Sequence, residues 1–259
     1  DATRFVQIFG GPGISNEYQF HSHTKTVVAE IRLASKPDNP LRYVIGAFYN
    51  KKKRDFTARM YEDAFIPVFG TNLLYRSDAP KNPSQEMALF GDLTYTTGPL
   101  ALTAGLRAFK NKFALASVTQ GIALGIPNTV VTVAEENKQS TVTPRFSVKY
   151  EISPTANIYA TASKGYRFGL VNAVNNPLAP KKYKSDSLWN YEVGAKGSFL
   201  DGRLSIESAL YYIDWKDFQV NLMLQGVGNY TVNGGKARSY GAEFAMAAKP
   251  TRDLTVEFS

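Results

Sequence analysis

Strict two-residue alternation constrains this chain more than any other feature, because it puts apolar residues on one face of a strand and ionisable residues on the other. Across residues 143–152, Pro144, Phe146, Val148, Tyr150 and Ile152 share a face, and Thr143, Arg145, Ser147, Lys149 and Glu151 fall opposite. Across 188–199 the apolar face is Trp189, Tyr191, Val193, Ala195, Gly197 and Phe199, set against Asn190, Glu192 and Lys196. Met87, Leu89, Leu93 and Tyr95 oppose Asp92 and Thr94. Tyr240, Ala242, Phe244 and Met246 oppose Ser239 and Glu243, and Leu254, Val256 and Phe258 oppose Thr255 and Glu257. Two stretches blur the pattern: 41–53 is apolar on both faces near Tyr43 and Tyr49, and Tyr211-Tyr212-Ile213-Asp214-Trp215 fills both faces of 203–220.

Tight-turn sequences punctuate the strands. They are Ser35-Lys36-Pro37-Asp38-Asn39-Pro40, Thr97-Gly98-Pro99, Ser153-Pro154-Thr155, Leu200-Asp201-Gly202 and Pro250-Thr251-Arg252-Asp253, each rich in residues that set turn dihedrals or cap their own backbone. Between them lie longer stretches that read as irregular, about 59–86, 114–139, 169–187 and 221–237. Short turns at one end and long loops at the other is the arrangement of an outer-membrane barrel. Strands of about 10 to 15 residues exceed the 5 or 6 usual in soluble sheets and suit a tilted bilayer crossing. The expected fold is therefore all-β: an antiparallel transmembrane β-barrel wall of about ten strands, with lipid on the apolar face and charges lining a wet interior. Residues 1–24 read as an extracellular loop or a poorly marked strand. A soluble sandwich-type binding module is the rival reading, since alternation alone does not say which side is wet.

Composition narrows the class. With 44% hydrophobic and 20% charged residues the chain can fold, and no run approaches the roughly 18 apolar residues of a spanning helix. Cysteine is absent, which suits an oxidising compartment. The first ten residues have neither a basic start nor an apolar stretch, so the chain is either mature or begins part-way through a longer one. The net charge of +8 is scattered, with one dense run at Lys51-Lys52-Lys53-Arg54, and no nucleic-acid motif accompanies it. That run reads either as a solvated charge cluster or as a contact for lipopolysaccharide phosphates or an anionic ligand.

No catalytic constellation is present, so the chain does not read as an enzyme. Gly10-Gly11-Pro12-Gly13 lacks the Lys-Ser/Thr of a phosphate loop, and no Gly-x-Ser-x-Gly elbow occurs. His21 and His23 share a strand face, but no Cys or further His completes a metal site, so neither a metal nor a cofactor is expected. The candidate lumen-facing charges are Arg107, Arg145, Lys149, Glu192, Lys196 and Glu243. They read as cross-strand pairs in a hydrated interior, or as contacts for an internal domain or an anionic ligand.

Residues 185–220, SDSLWNYEVGAKGSFLDGRLSIESALYYIDWKDFQV, resemble adjacent barrel strands of the TonB-dependent receptors of Gram-negative outer membranes. YATASKGYRFGLVN at 159–172, EIRLAS at 30–35, LRYVIGAFY at 41–49 and NGGKARSYGAE at 233–243 resemble neighbouring hairpins, so the likeness runs in order from about residue 25 onward. Two local departures are Phe168, where the family often has Pro, and Gly234-Gly235. The resemblance implies a 22-stranded barrel closed by a plug domain, loops that bind a scarce nutrient such as a ferric siderophore, and coupling to the inner-membrane TonB complex. A passive outer-membrane channel or structural barrel is the alternative function. The same resemblance implies that 1–259 is part of a barrel domain, with the plug and the C-terminal strands outside it. Integral outer-membrane location, contact with lipid and lipopolysaccharide, and no nucleic-acid partner go with it. Aromatic side chains in loops, Tyr61, Tyr75 and Tyr230, are the expected places for ligand contact. Tyr211, Tyr212 and Trp215 are expected in an aromatic girdle at the membrane boundary.

Overall fold

The computed structural model describes residues 2–11, 14–62, 73–120, 130–174, 178–224 and 228–259. Among these the regular elements are all strands: β1 (Ala2–Gly11), β2 (Ile14–Ala34), β3 (Leu41–Glu62), β4 (Leu73–Thr97), β5 (Leu100–Gln120), β6 (Val130–Ser153), β7 (Ala156–Arg167), β8 (Asp186–Phe199), β9 (Leu204–Lys216), β10 (Gln219–Leu224), β11 (Gly228–Asn233), β12 (Lys236–Thr251) and β13 (Leu254–Phe258). Eleven of them form one antiparallel sheet in chain order, β1 through β9 followed by β12 and β13. β10 and β11 make a separate hairpin within the β9–β12 connection.

Exposure decides between membrane wall and sandwich. The apolar face is the uncovered one: Ile31, Leu89 and Phe146 are 73%, 68% and 54% exposed. A sandwich would bury these positions under a second sheet. Register carries the face across the wall, as in the outward row Ile31, Ala47, Leu89, Ala108 and Val142. Leaving such a face in water would cost about 25 cal/mol for each Å² of apolar surface, which lipid removes.

The wall is wider and taller than the sequence suggests. About ten strands are expected, whereas the continuous sheet has eleven, because 1–24 supplies β1 and the first half of β2. Much of 59–86 and 114–139 is strand, since β3 runs on to Glu62, β4 starts at Leu73, β5 reaches Gln120 and β6 starts at Val130. Beyond the bilayer both faces of a strand meet water, so the apolar alternation stops while the hydrogen-bond ladder continues. The remaining parts of those loops, 63–72 and 121–129, lie outside the described residues.

The short turns all fall at one end, as expected. The Leu200-Asp201-Gly202 turn extends by one residue, to Arg203. Phe199 pairs with Leu204, leaving four residues, of which Leu200, Asp201 and Gly202 have positive φ and Arg203 donates its N–H to the Leu200 carbonyl at 3.1 Å. The aromatic girdle also differs from expectation. Tyr212 is in it, in register with Tyr191 and Tyr240, and Trp189 stacks on Tyr191 at 5.9 Å. Tyr211 and Trp215 have the opposite parity and face the polar side, because two adjacent strand residues never share a face.

Three inner-face glycines lie directly across from aromatic residues: Gly46 and Phe90, Gly194 and Tyr159, Gly241 and Tyr211. In each pair the ring lies over the glycine of the next strand. A Cβ on Gly194 would come within 2.6 Å of the Tyr159 hydroxyl and 2.7 Å of the Ser208 carbonyl oxygen, whereas a Cβ on Gly91 would meet nothing closer than 3.4 Å. Gly194→Ala should therefore cost about 1–3 kcal/mol by overpacking, and Gly91→Ala far less. The check is the unfolding temperature of the full-length barrel in detergent, where equal effects would refute the packing assignment.

Candidate functional site

The polar face opposite the lipid-facing one carries the charged candidates, and the structure pairs most of them. The Arg107 guanidinium sits 2.8 Å from Glu86, four residues along β4 from its cross-strand partner Phe90. Lys149 lies 2.9 Å from Glu151 and Lys196 lies 2.8 Å from Glu207. Tyr159 donates its hydroxyl proton to Glu192 at 2.6 Å, reaching over Gly194. Arg145 and Glu243 lie on the same face with no ion pair among the described residues. Most of these pairs are solvent-exposed, worth about 0–1 kcal/mol each.

Higher on the same face an aromatic platform surrounds Arg107. Its guanidinium carbon lies 5.1, 5.7 and 5.8 Å from the ring centres of Phe48, Phe90 and Phe109. Arg32 approaches Phe90 at 5.9 Å. Phe109 continues the platform edge-on to Tyr166 and Phe168, with ring centres 5.2 and 5.4 Å away, and Tyr166 meets Phe168 at 4.8 Å. Cation–π contacts of this kind contribute about 0.5–1 kcal/mol each where water has access.

Above the platform, amide side chains fasten the described parts of the β7–β8 connection, 168–174 and 178–185, to the wall and to the β10–β11 hairpin. Asn137 donates to the carbonyls of Leu170 and Tyr183, both at 3.2 Å. The Gln139 carbonyl oxygen accepts from the Tyr166 hydroxyl at 2.9 Å and from the Gly169 N–H at 3.0 Å. Asn172 bridges Pro180 and Thr231, and Asn233 accepts the Lys184 N–H at 2.7 Å while donating back to its carbonyl at 2.9 Å. Asp186, only 2% exposed, is held by Arg167 at 2.5 Å and by the Gln219 N–H at 3.2 Å. Arg167 also lies 5.5 Å over the Trp215 ring. Glu135 joins Lys181 at 3.4 Å and Lys182 at 3.1 Å, and these lysines hold its carboxyl below the usual range. Burial raises the Tyr183 hydroxyl pKa.

The three aromatic loop candidates are not brought together. Tyr61 is half-buried near the end of β3, with the parity of Tyr49 and Lys53, which is that of the outer face. Tyr230 lies in β11 opposite Leu222. The backbone of Tyr75 pairs with Met60, and its side chain lies outside the described residues. Sequence reasoning missed the amide clamp and the Arg107 platform. The sequence reads 114–139 as irregular, so the parity that puts Asn137 and Gln139 on the luminal face of β6 is visible only in the structure.

An exposed apolar face, a charged opposite face and tied loops at one end are the features of a membrane barrel wall. The sequence matches the family model "TonB dependent receptor-like, beta-barrel" over residues 2–259. The chain belongs to the TonB-dependent receptor family and is β-barrel wall of an integral outer-membrane protein. It is 28% identical over 123 residues to the metal-pseudopaline receptor CntO of Pseudomonas aeruginosa, a match covering 47% of this chain and 16% of that receptor. Its fold is similar to that of the ferric yersiniabactin uptake receptor FyuA from Yersinia pestis, with TM-score 0.76, 17% identity, and coverage of 98% of this chain and 37% of that one. It also resembles the copper transporter OprC, with TM-score 0.66, 12% identity, and coverage of 94% and 38%. The chain thus spans well under half the length of these relatives. The family is one of receptors and transporters, not of enzymes.

Two expectations follow for the loop clamp. Arg167→Met strands a buried carboxylate, whereas Asp186→Asn leaves a half-exposed arginine that water can solvate, so the former should open 168–185 and 217–219 more, by about 2–3 kcal/mol. Hydrogen exchange on those segments measures this, and the reverse order would count against a buried-charge clamp. The Glu135 tether adds a pH dependence. Its folded pKa is lowered, so its contribution is present above the ordinary carboxylate value and disappears as pH falls through the folded one. Exchange at 178–184 should speed up on acidification into that range, and Glu135→Gln should remove the dependence.

Proposed function

We propose that this wall belongs to a receptor for energy-coupled uptake of a scarce nutrient, with an anionic metal chelate such as a ferric siderophore as the ligand class. The observation that carries this reading is the Arg107 platform: guanidinium charge framed by Phe48, Phe90 and Phe109 and continued by Tyr166 and Phe168 beneath a tied loop. Planar rings beside a guanidinium that stays 35% exposed while paired with Glu86 suit a flat or aromatic ligand whose anionic group can share that charge. A metal-pseudopaline receptor and a ferric yersiniabactin uptake receptor among the similar proteins support a metal chelate as the ligand.

In this reading a plug domain of the full-length chain fills the interior, and an inner-membrane TonB complex supplies the pull. Arg145 and Glu243, which make no ion pair within the described wall, are the groups proposed to meet the plug. The test is uptake by cells carrying the full-length receptor, using a panel of ferric siderophores, cobalamin and oligosaccharides, with and without a proton gradient. Gradient-dependent uptake of one anionic chelate, reduced roughly tenfold or more by Arg107→Ala, is the expected result. Gradient-independent leakage of many solutes would establish a passive channel instead.

A further inference from the structure

The outward face changes character abruptly at the loop end of β2–β6. Below, it is apolar; above Tyr49, Met87 and Val142 the same parity carries Lys25, Lys51, Lys53, Lys110, Lys112 and Lys138. These lysines are drawn from four strands, and all are exposed. Lys110 is ten residues beyond Leu100 at the periplasmic turn. At about 3.3 Å per residue and a tilt near 40° that is about 25 Å, the height of a barrel's apolar band. The lysines therefore stand where hydrocarbon gives way to outer-leaflet headgroups.

Their pairing points the same way. Lys25 faces Lys53, and Lys112 faces Lys138, directly across neighbouring strands. Like charges so placed are destabilising unless an anion lies between them. Glu136 serves one pair, 2.6 Å from Lys112 and 2.7 Å from Lys138. Asp55, two residues beyond Lys53 on the same face, accepts the Lys81 N–H instead. Lys25, Lys51, Lys53 and Lys110 have no carboxylate partner among the described residues. Gln85, Met87, Lys110, Lys112, Lys138 and Ser140 line a shallow depression of about 380 Å³ on this face. The dense run Lys51-Lys52-Lys53-Arg54 is divided by parity. Lys51 and Lys53 belong to the outer row, while Lys52 and Arg54 turn inward, with Arg54 over the Phe56 ring at 4.8 Å and donating to Ser22 at 3.1 Å.

We infer that this outer row is a binding site for the phosphorylated headgroup of lipopolysaccharide, with lipid A acyl chains lying on the apolar band below and its phosphates against Lys25, Lys51, Lys53 and Lys110, which no carboxylate of the described residues neutralises. The occupant is argued from charge, height and continuity. The site adjoins the lipid-facing surface, so an anion bound there is attached to a lipid. Lysine stems lie along apolar surface while their ammonium groups reach the headgroup layer. A free anion in solution would have no use for the apolar half of the site.

The test titrates bisphosphorylated lipid A into the full-length receptor in detergent and reads retained lipid by native mass spectrometry. Each basic residue near a charged membrane surface is worth roughly a fivefold change in affinity. The triple change Lys25→Gln, Lys51→Gln and Lys53→Gln, at lysines without a carboxylate partner among the described residues, should therefore weaken binding by about 100-fold. The matching triple change to Arg should keep it, and Lys52→Gln, at the same height on the inner face, should leave it within about twofold. Two arms need no variant: fully dephosphorylated lipid A should bind far more weakly to the wild type, and millimolar inorganic phosphate should fail to displace lipid A. Equal binding by the Gln triple variant, equal binding of dephosphorylated lipid, an equal loss from Lys52→Gln, or full displacement by inorganic phosphate would each overturn the site. None of these outcomes bears on nutrient uptake through the interior, so the two readings fail independently.

Discussion

In hydrocarbon, every backbone N–H and C=O must find its partner within the protein, and the rest of this structure follows from that requirement. Eleven strands meet it by pairing antiparallel in chain order, β9 with β12 past the β10–β11 hairpin, in a register interrupted by only a few bulges. Hydrogen bonding leaves the side chains free to answer to two solvents. One face is apolar because lipid touches it, and the other is charged because water does. The cross-strand Gly–aromatic pairs belong to the same economy. Where Tyr159, Phe90 and Tyr211 lie across the next strand, the glycine opposite keeps the ladder intact and still lets the ring cover it.

The two faces were legible to different depths. Where strands cross the bilayer, one side sees a uniform solvent, so alternation in 143–152 or 188–199 translates directly into orientation. The 41–53 stretch looked ambiguous because its inner face also carries apolar residues. Phe48 faces inward to meet Arg107, and Gly46 is small because Phe90 lies over it. The 203–220 stretch blurred for a related reason: Tyr211 and Trp215 are inner-face aromatics alternating with Tyr212 and Asp214 on the outer one. Strand ends beyond the membrane were invisible, since they share hydrogen bonds but no longer share a solvent. A pattern read from polarity stops at the membrane surface even though the strand does not.

The candidate site was less legible than the wall. Ion pairs such as Lys196 with Glu207 join residues of different strands, and only the register brings them opposite each other. The Arg107 platform draws rings from three strands, β3, β4 and β5, none of which is marked as special in its own segment. The amide clamp has no period at all. Asn137, Gln139, Asn172, Gln219 and Asn233 act through loop carbonyls and N–H groups, so their role depends on where the loop lies. Positive charge misled in the opposite sense. The compact Lys51–Arg54 run drew notice, but the outer row assembles from alternate residues on separate strands.

The two ends of the wall are held by bonds of different exchangeability. Within the bilayer a broken ladder bond has no water to replace it, so opening costs the full desolvation of both groups. Above the bilayer the loop 168–185 is held by side-chain amides, each net worth about 1 kcal/mol because water accepts the same groups. A segment fastened by several such bonds keeps one arrangement at rest yet can release them singly when another partner offers equivalent donors and acceptors. Asp186 is the exception. Its buried carboxylate, gripped by Arg167 and the Gln219 N–H, marks where the exchangeable loop is pinned to the permanent wall. The pin joins the top of the β7–β8 ladder, where Arg167 pairs with Asp186, to Gln219 at the start of the β10–β11 hairpin.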